Sequence, residues 1–208
     1  PVAYDTPETK FVYVPRLHAD ALSVDSMVVV GERATGKSFW AKALVDEQLR
    51  TLVADVVGKH RLPPSVEVVR GWDEREHLDD GLPSRAELEL LVSGNHDPRL
   101  IWAATYLFAL KAPEITALPT WSGRLALLES DAGSVPRMIR RAQVERESKG
   151  QPVIVVFDAL DRTADDPRRR LALLRGLLQF VLDLRASRLL RAKVFVRPDM
   201  VESPEVRS

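Results

Sequence analysis

Residues 26–38 read Ser-Met-Val-Val-Val-Gly-Glu-Arg-Ala-Thr-Gly-Lys-Ser, an apolar β-branched run that ends in the pattern G-x-x-x-x-G-K-S. The run Val28–Val30 predicts a buried strand, and a helical pattern begins near Gly36. Between the two, the backbone N–H groups of residues 31–36 are expected to surround phosphate oxygens, with the positive end of the helix facing the same anion. The stretch therefore predicts an α/β unit with a phosphate-binding loop.

Side chains of this loop complete the predicted phosphate site. Lys37 is expected to reach the β- and γ-phosphates of a nucleoside triphosphate, and the Ser38 hydroxyl is expected to bind Mg²⁺. The residues predicted to contact the nucleotide are Gly31, Glu32, Arg33, Ala34, Thr35, Gly36, Lys37, Ser38 and Phe39.

Bulk composition excludes several classes of protein. The chain has 208 residues, enough for the single α/β domain that we expect over residues 1–208. Lys plus Arg and Asp plus Glu both number 30, so the zero net charge does not indicate nucleic-acid binding. The absence of cysteine excludes disulfides and thiolate chemistry. No apolar run reaches membrane-spanning length and no signal peptide opens the chain, so a cytoplasmic protein without membrane contact is expected.

Strands and helices alternate along the chain. β-Branched runs predict strands at 27–30, 66–70, 152–157 and 193–196. The third run is almost continuously apolar, as expected of a central parallel strand that is buried on both faces. The alternation predicts a three-layer α/β fold, in which helices cover a mostly parallel sheet.

Helical patterns occupy most of the remaining chain. The loop helix is expected to continue to about Val57, and residues 72–150 are expected to form a helical insertion, with helices at about 85–92, 99–110, 121–130 and 135–148. Asp166-Pro167 opens the longest helix. Its predicted buried stripe is Leu171, Leu174, Leu178, Val181 and Leu182. Three tryptophans are expected in the core or at a domain interface, namely Trp72, Trp102 and Trp121.

The second half of the phosphate site is predicted where the third strand ends. Asp158 follows the apolar run, and a carboxylate at that position can complete the Mg²⁺ shell with Ser38. Many ATPases have Glu directly after this Asp, but here the residue is Ala159. The next acid, Asp161, is our candidate for orienting or deprotonating water; the alternative is a loop acid that caps the turn or pairs with Arg162.

Gly31–Ser38 and Ile154–Arg162 resemble the two nucleotide-binding motifs of STAND and KAP-type P-loop ATPases, in which an apolar strand ends in D-x-L-D. The resemblance, weaker at Val194–Arg197, implies the additional-strand class of P-loop NTPases, related to the AAA+ fold. It implies a sheet of order 5-1-4-3-2, whose fifth strand would be residues 11–14 or chain beyond residue 208. It also implies that ATP binding or hydrolysis drives a switch or an assembly.

Two further features concern the nucleotide. Related ATPases often end the next strand in Asn, Ser or Thr, but here Arg197 stands there, and it would either contact the γ-phosphate or form a salt bridge with Asp199 or a tail acid. The guanine-selecting pattern N-K-x-D is absent, because no Lys follows the only asparagine, Asn95. ATP with Mg²⁺ is therefore the expected ligand.

Three functions fit these observations. The first is a Mg²⁺-dependent ATPase domain in which Lys37, Asp161 and Arg197 act in catalysis. Because the chain starts at Pro1 and ends in a polar tail, we expect a fragment of a larger bacterial protein that works as a switch or motor with a protein partner or with itself. The second is a non-hydrolytic, nucleotide-gated interaction module, which Ala159 and Arg197 favour. The third is a small-molecule or nucleotide kinase, which the long helix after Asp161 suits less well.

Overall fold

The computed structural model describes residues 15–74 and 81–203. These residues form an α/β fold around a sheet of four strands, all parallel. The strands are β1 (Val28–Val30), β2 (Glu67–Trp72), β3 (Val153–Phe157) and β4 (Leu190–Val196). They lie in the order β1-β4-β3-β2, so that β4 separates β1 from β3. The four strands predicted from the sequence are therefore confirmed, with ends that differ by a few residues.

Helices account for most of the other described residues. They are α1 (Arg16–Leu22), α2 (Lys37–Val45), α3 (Glu47–Val57), α4 (Arg85–Ser93), α5 (Pro98–Ala109), α6 (Pro113–Thr116), α7 (Trp121–Glu129), α8 (Ser134–Lys149), α9 (Pro167–Leu184) and α10 (Pro198–Val201). A 3₁₀ turn, Leu160–Arg162, follows β3. Among residues 15–74 and 81–203, no helix is both long and apolar enough to cross a lipid bilayer.

Alternate residues of β3 face opposite layers of helices. Val153, Val155 and Phe157 belong to a core that includes α5 and α9, whereas Ile154 and Val156 belong to a second core with α2 and α3. All five side chains are buried. A continuous apolar run is what a parallel strand covered on both faces requires. Helices thus cover both faces of the sheet, and the three-layer arrangement follows.

The helical insertion between β2 and β3 belongs to the first of these cores. Trp72, Trp102 and Trp121 are buried there, which confirms the prediction that they are core residues. The Trp102 indole also donates a hydrogen bond of 2.7 Å to the Leu173 carbonyl, which joins α5 to α9. The insertion is therefore part of the main fold and covers one face of the sheet.

The prediction of a buried first strand is wrong, because two of its three residues are exposed and the third is only half-buried. β1 pairs with β4 along one edge, and Val28 and Val30 are 39% and 52% exposed. Only Val29 packs against the second core. No strand lies beyond β1 within residues 15–74 and 81–203, and the candidate strand at 11–14 falls outside them. A run of valines has the same pattern in an edge strand as in a central one, so sequence could not separate the two.

The single helix predicted to run to Val57 is also wrong, because α2 and α3 are separated at Asp46. This residue has an extended backbone, with φ −72° and ψ 123°. Its carboxylate accepts a hydrogen bond of 2.9 Å from the Leu49 N–H and so caps α3. The apolar spacing continues across Asp46 and therefore does not indicate the break between α2 and α3. The side-chain cap stabilises that break.

The buried face of α9 differs from the predicted stripe at three of its five positions. Leu171 and Leu178 are only half-buried. Leu174 and Val181 are buried as expected, but Leu182 is 60% exposed. The other large buried side chains of this helix are Leu173, Leu177, Phe180 and Leu184. The stripe is thus displaced by part of a turn, which places Phe180 against Tyr106 of α5.

A bulge interrupts the pairing of β2 with β3 at Gly71. Arg70 pairs with Val156 and Trp72 with Phe157, so two residues of β2 oppose one of β3. A Cβ atom at residue 71 would lie 2.6 Å from Val155 Cγ1 and 2.7 Å from the Phe157 ring, so only glycine fits without a shift. Bulges redirect the residues that follow them. Here the residues that follow lead to the sheet edge where β3 ends.

A buried lysine ties the segment before β1 to the sheet. Lys193 of β4 is 0% exposed, and its ammonium donates to the carbonyls of Ala21, Ser23 and Ser26 at 2.8, 2.8 and 2.5 Å. Burial lowers the pKa of Lys193 to about 7, against a partial opposing effect of Asp25. The three carbonyls satisfy the buried donors, so the end of α1 and the approach to β1 are held in place.

Candidate functional site

A pocket of about 350 Å³ opens at the carboxyl ends of the sheet. It is lined by six of the residues predicted to bind nucleotide, which are Arg33, Ala34, Gly36, Lys37, Ser38 and Phe39. Asp158, Asp161 and Arg197 line it from β3 and β4. The carboxyl ends of parallel strands are the usual ligand site of α/β sheets. Two segments far apart in sequence thus meet as predicted, although Gly31, Glu32 and Thr35 do not line the pocket.

The loop 31–36 has a backbone suited to surrounding an anion. Ala34 and Gly36 have φ angles of 63° and 85°, while Arg33 and Thr35 between them do not have positive φ. Alternation of this kind forms concave turns whose N–H groups converge. α2 begins directly afterwards at Lys37, so the N–H groups of its first turn have no acceptor within the helix. Backbone donors and the positive helix end therefore face the same pocket.

The Lys37 side chain lies across its own loop. Its ammonium donates hydrogen bonds of 2.6 Å to the carbonyls of both Gly31 and Glu32. The Thr35 hydroxyl donates to the Glu32 carbonyl at 2.8 Å, and a Cβ at residue 31 would lie 2.8 Å from that hydroxyl oxygen. Gly31, Glu32 and Thr35, which do not line the pocket, therefore stabilise the shape of the loop through these contacts.

Asp158 meets the loop from β3. The carboxylate is nearly buried, and burial raises the pKa of Asp158 above its ordinary value. The neighbouring Ser38 hydroxyl and Ala159 N–H oppose that rise in pKa, whereas the charge of Asp73 adds to it. A hydroxyl and a carboxylate that line one pocket can act together as oxygen ligands of Mg²⁺, with phosphate oxygens and water filling its shell. Among the described residues, no group of three or more acidic or histidine side chains could hold a metal alone.

Asp161 and Arg197 form one ionic group at the pocket. The Arg197 guanidinium lies 3.5 Å from Asp161 and binds Asp199 through two hydrogen bonds of 3.0 and 2.8 Å. The pairing with Asp199 raises the pKa of Arg197, with a smaller contribution from Asp161. The salt-bridge alternative for Arg197 is thus observed, and the arginine also lines the pocket. Asp161 pairs with Arg197. The alternative, in which Asp161 pairs with Arg162, is not observed among the described residues.

Glu74 is a pocket residue that sequence reasoning missed. It lies two residues beyond β2, lines the pocket, and accepts a hydrogen bond from the Arg162 guanidinium. In the sequence it stands within a long polar stretch, and no motif marks it. The available signal was its position two residues after a strand, close to the position that Asp158 has directly after β3.

The chain matches no protein-family model, no curated protein and no solved structure. Its function is therefore inferred from the residues of the pocket and from the order of the strands.

Proposed function

We propose that this chain binds Mg²⁺-ATP and hydrolyses it, as a P-loop ATPase domain of the additional-strand class that serves as a switch or motor in a larger protein. One observation carries the proposal: Lys37 and Ser38, in a G-x-x-x-x-G-K-S loop before a helix, line the same pocket as the buried Asp158 that follows β3. A hydroxyl and a carboxylate from these two motifs hold Mg²⁺ in P-loop nucleotide sites.

The order of the strands supports the same class. β4 lies between the strand that leads into the loop and the strand that ends at Asp158. An interposed strand of this kind is what distinguishes the additional-strand class that the sequence resembles. The order β1-β4-β3-β2 corresponds to the last four positions of 5-1-4-3-2, and a fifth strand outside β1 remains part of the proposal.

The loop and four side chains of the pocket then have defined tasks. The backbone of 31–38 and the Lys37 ammonium bind the β- and γ-phosphates, and Ser38 and Asp158 hold Mg²⁺. The bound metal would neutralise charge that develops on the phosphate oxygens. Arg197 lies close enough to the pocket to exchange its pairing with Asp161 for the γ-phosphate.

A non-hydrolytic, nucleotide-gated module is the second candidate. One feature favours it: Ala159, which follows Asp158, has no carboxylate and a left-handed backbone with φ 54°. Asp161, the next acid, is 3.5 Å from Arg197. In this case ATP would bind and shift the conformation that a partner recognises, without turnover.

Binding and turnover of Mg²⁺-ATP measured together test the proposal. We expect the wild type to bind and hydrolyse ATP, and Lys37→Ala to lose at least about tenfold in affinity, because a charge-assisted hydrogen bond contributes about 1.5–3 kcal/mol. Asp161→Asn is assayed alongside. Binding without turnover in all forms would favour the gated module, and transfer of phosphate to an added acceptor would favour a kinase. No binding by the wild type would refute the proposal.

A further inference from the structure

Three carboxylates line the described part of the pocket, and they differ in what they contact. Asp158 lines the pocket together with Ser38 and is the proposed Mg²⁺ ligand. Asp161 is 3.5 Å from Arg197, an arginine that Asp199 also holds through two hydrogen bonds. Glu74 contacts Arg162 from the opposite side of Asp158, because β2 and β4 flank β3.

The path of the chain after the Gly71 bulge brings Glu74 to this position. The Asp158 N–H donates 3.0 Å to the Trp72 carbonyl, so β2 follows β3 as far as the proposed metal ligand. Asp73 then pairs back with Arg70 at 3.1 Å and does not line the pocket. Glu74 is therefore the first carboxylate of this strand end that lines the pocket, and its longer side chain reaches further than that of an aspartate.

We propose that Glu74 is the catalytic residue that takes the proton from the attacking water, an assignment that rests on the proposed ATPase function. The water oxygen forms a bond to the γ-phosphorus while the bond from phosphorus to the β,γ-bridging oxygen breaks, giving ADP and phosphate. One water proton passes to the Glu74 carboxylate and then to the released phosphate. A positioned carboxylate within hydrogen-bond reach of water is the requirement for this role.

Arg162 acts as a positioning residue for Glu74. Both side chains of the pair are partly exposed, at 51% for Arg162 and 40% for Glu74. Exposed pairs of this kind contribute about 0–1 kcal/mol, so the carboxylate can exchange the arginine for a water at little cost. Asp161 and Arg197 are less exposed, at 28% and 30%, and the second acid Asp199 holds that arginine, so Asp161 is less free to change partner.

The test compares Glu74→Gln with wild type in Mg²⁺-ATP affinity, single-turnover rate and identity of the bound nucleotide. We expect affinity within about threefold of wild type, a rate reduced about 100-fold or more, and recovery of ATP rather than ADP from the variant. Glu89→Gln is the matched control, because Glu89 pairs with Arg169 at 3.5 Å and does not line the pocket. Glu74→Asp should restore part of the rate.

Arg162→Gln distinguishes the effect of the Glu74 carboxylate from that of its ion pair with Arg162. It removes the same pair but keeps Glu74, and we expect a rate within about tenfold of wild type. Equal losses in Arg162→Gln and Glu74→Gln would overturn the assignment, as would a Glu74→Gln rate within threefold of wild type. A wild type that binds ATP without turnover overturns the assignment but leaves ATP binding intact. A wild type that binds nothing overturns the proposed function and this assignment with it.

Discussion

At Asp158, a residue suited to hold a metal is unfavourable for the stability of the folded chain. Burial raises the pKa of its carboxyl, so the folded protein holds a proton more readily than the unfolded chain does. The contribution of Asp158 to the free energy of unfolding therefore decreases as pH rises from about 4 through the raised pKa. The neighbouring Ser38 hydroxyl offsets only part of that loss.

Asp158→Asn should therefore stabilise the protein and inactivate it. We expect a higher melting temperature than wild type at pH 7.5 in EDTA, a smaller difference at pH 4.5, and no effect of Mg²⁺ on ATP affinity. Thermal unfolding at both pH values and nucleotide titration with and without Mg²⁺ measure these changes. Asp55→Asn, at an exposed pair with Lys59, should change the melting temperature little. An Asn variant that is less stable at both pH values would contradict the prediction.

Lys193 gives a second pH dependence, of opposite sign. Because burial lowers its pKa to about 7, the unfolded chain holds the proton over a range where the folded chain has lost it. Stability relative to Lys193→Met should therefore increase as pH rises from about 7, by up to about 1.4 kcal/mol per pH unit. Urea unfolding at pH 7, 8 and 9 measures the difference.

The control for Lys193 is an exposed lysine in the same assay. Lys149→Met removes an amine that pairs with Glu145 on the surface of α8, and its difference from wild type should not change across these pH values. A Lys193→Met difference that is equally flat would show that the buried amine keeps its proton.

The elements of the fold were predicted with uneven success, and the failures have a common cause. Strand β3 and the start of α9 were correct because burial on both faces and an Asp-Pro cap each leave a local signature. The break at Asp46 and the exposure of β1 depend on what lies beside those segments, which hydropathy does not record. Residues 74 and 193 were missed for the same reason, since their roles come from contacts across the sheet.

Gly176 sets the approach of α5 to α9, and its replacement tests that contact. A Cβ atom there would lie 2.6 Å from Pro98 and 2.7 Å from the Arg99 nitrogen, both backbone neighbours that cannot rotate away. We expect Gly176→Ala to reduce the free energy of unfolding by about 1–3 kcal/mol, despite the better helix propensity of alanine. Gly94→Ala, where the nearest atoms are 3.4 Å away, should change it little. Urea unfolding of both variants measures the effect.

For the whole molecule, the pocket lies where two groups of elements meet. The loop and α2 contribute one wall, and β3, β4 and the 3₁₀ turn contribute the other. The strand order, with β4 between β1 and β3, was expected only through the family resemblance, because local patterns do not specify which strands are neighbours. A ligand held by both walls should therefore stabilise the fold as a unit.

Mg²⁺-ATP at about 100 times its dissociation constant should stabilise the wild type by about 2.7 kcal/mol. For a domain of this size that corresponds to a rise of about 5–10 °C in the melting temperature. EDTA should reduce the rise, and Lys37→Ala should reduce it by about half or more at the same ATP concentration. An equal rise in Lys37→Ala would mean that the nucleotide binds somewhere other than the 31–38 loop. Differential scanning fluorimetry measures the melting temperatures for this comparison.

Because of the bulge at Gly71, the size of residue 71 can affect the position of the Glu74 side chain. Any larger residue there would clash with the Val155 and Phe157 side chains and force a local shift, and Glu74 is three residues further along the chain. A variant at 71 could thus keep every nucleotide contact and still misplace a carboxylate by enough to slow the reaction. Genetic screens for loss of activity would then report position 71 as if it belonged to the pocket, although it lies inside the sheet.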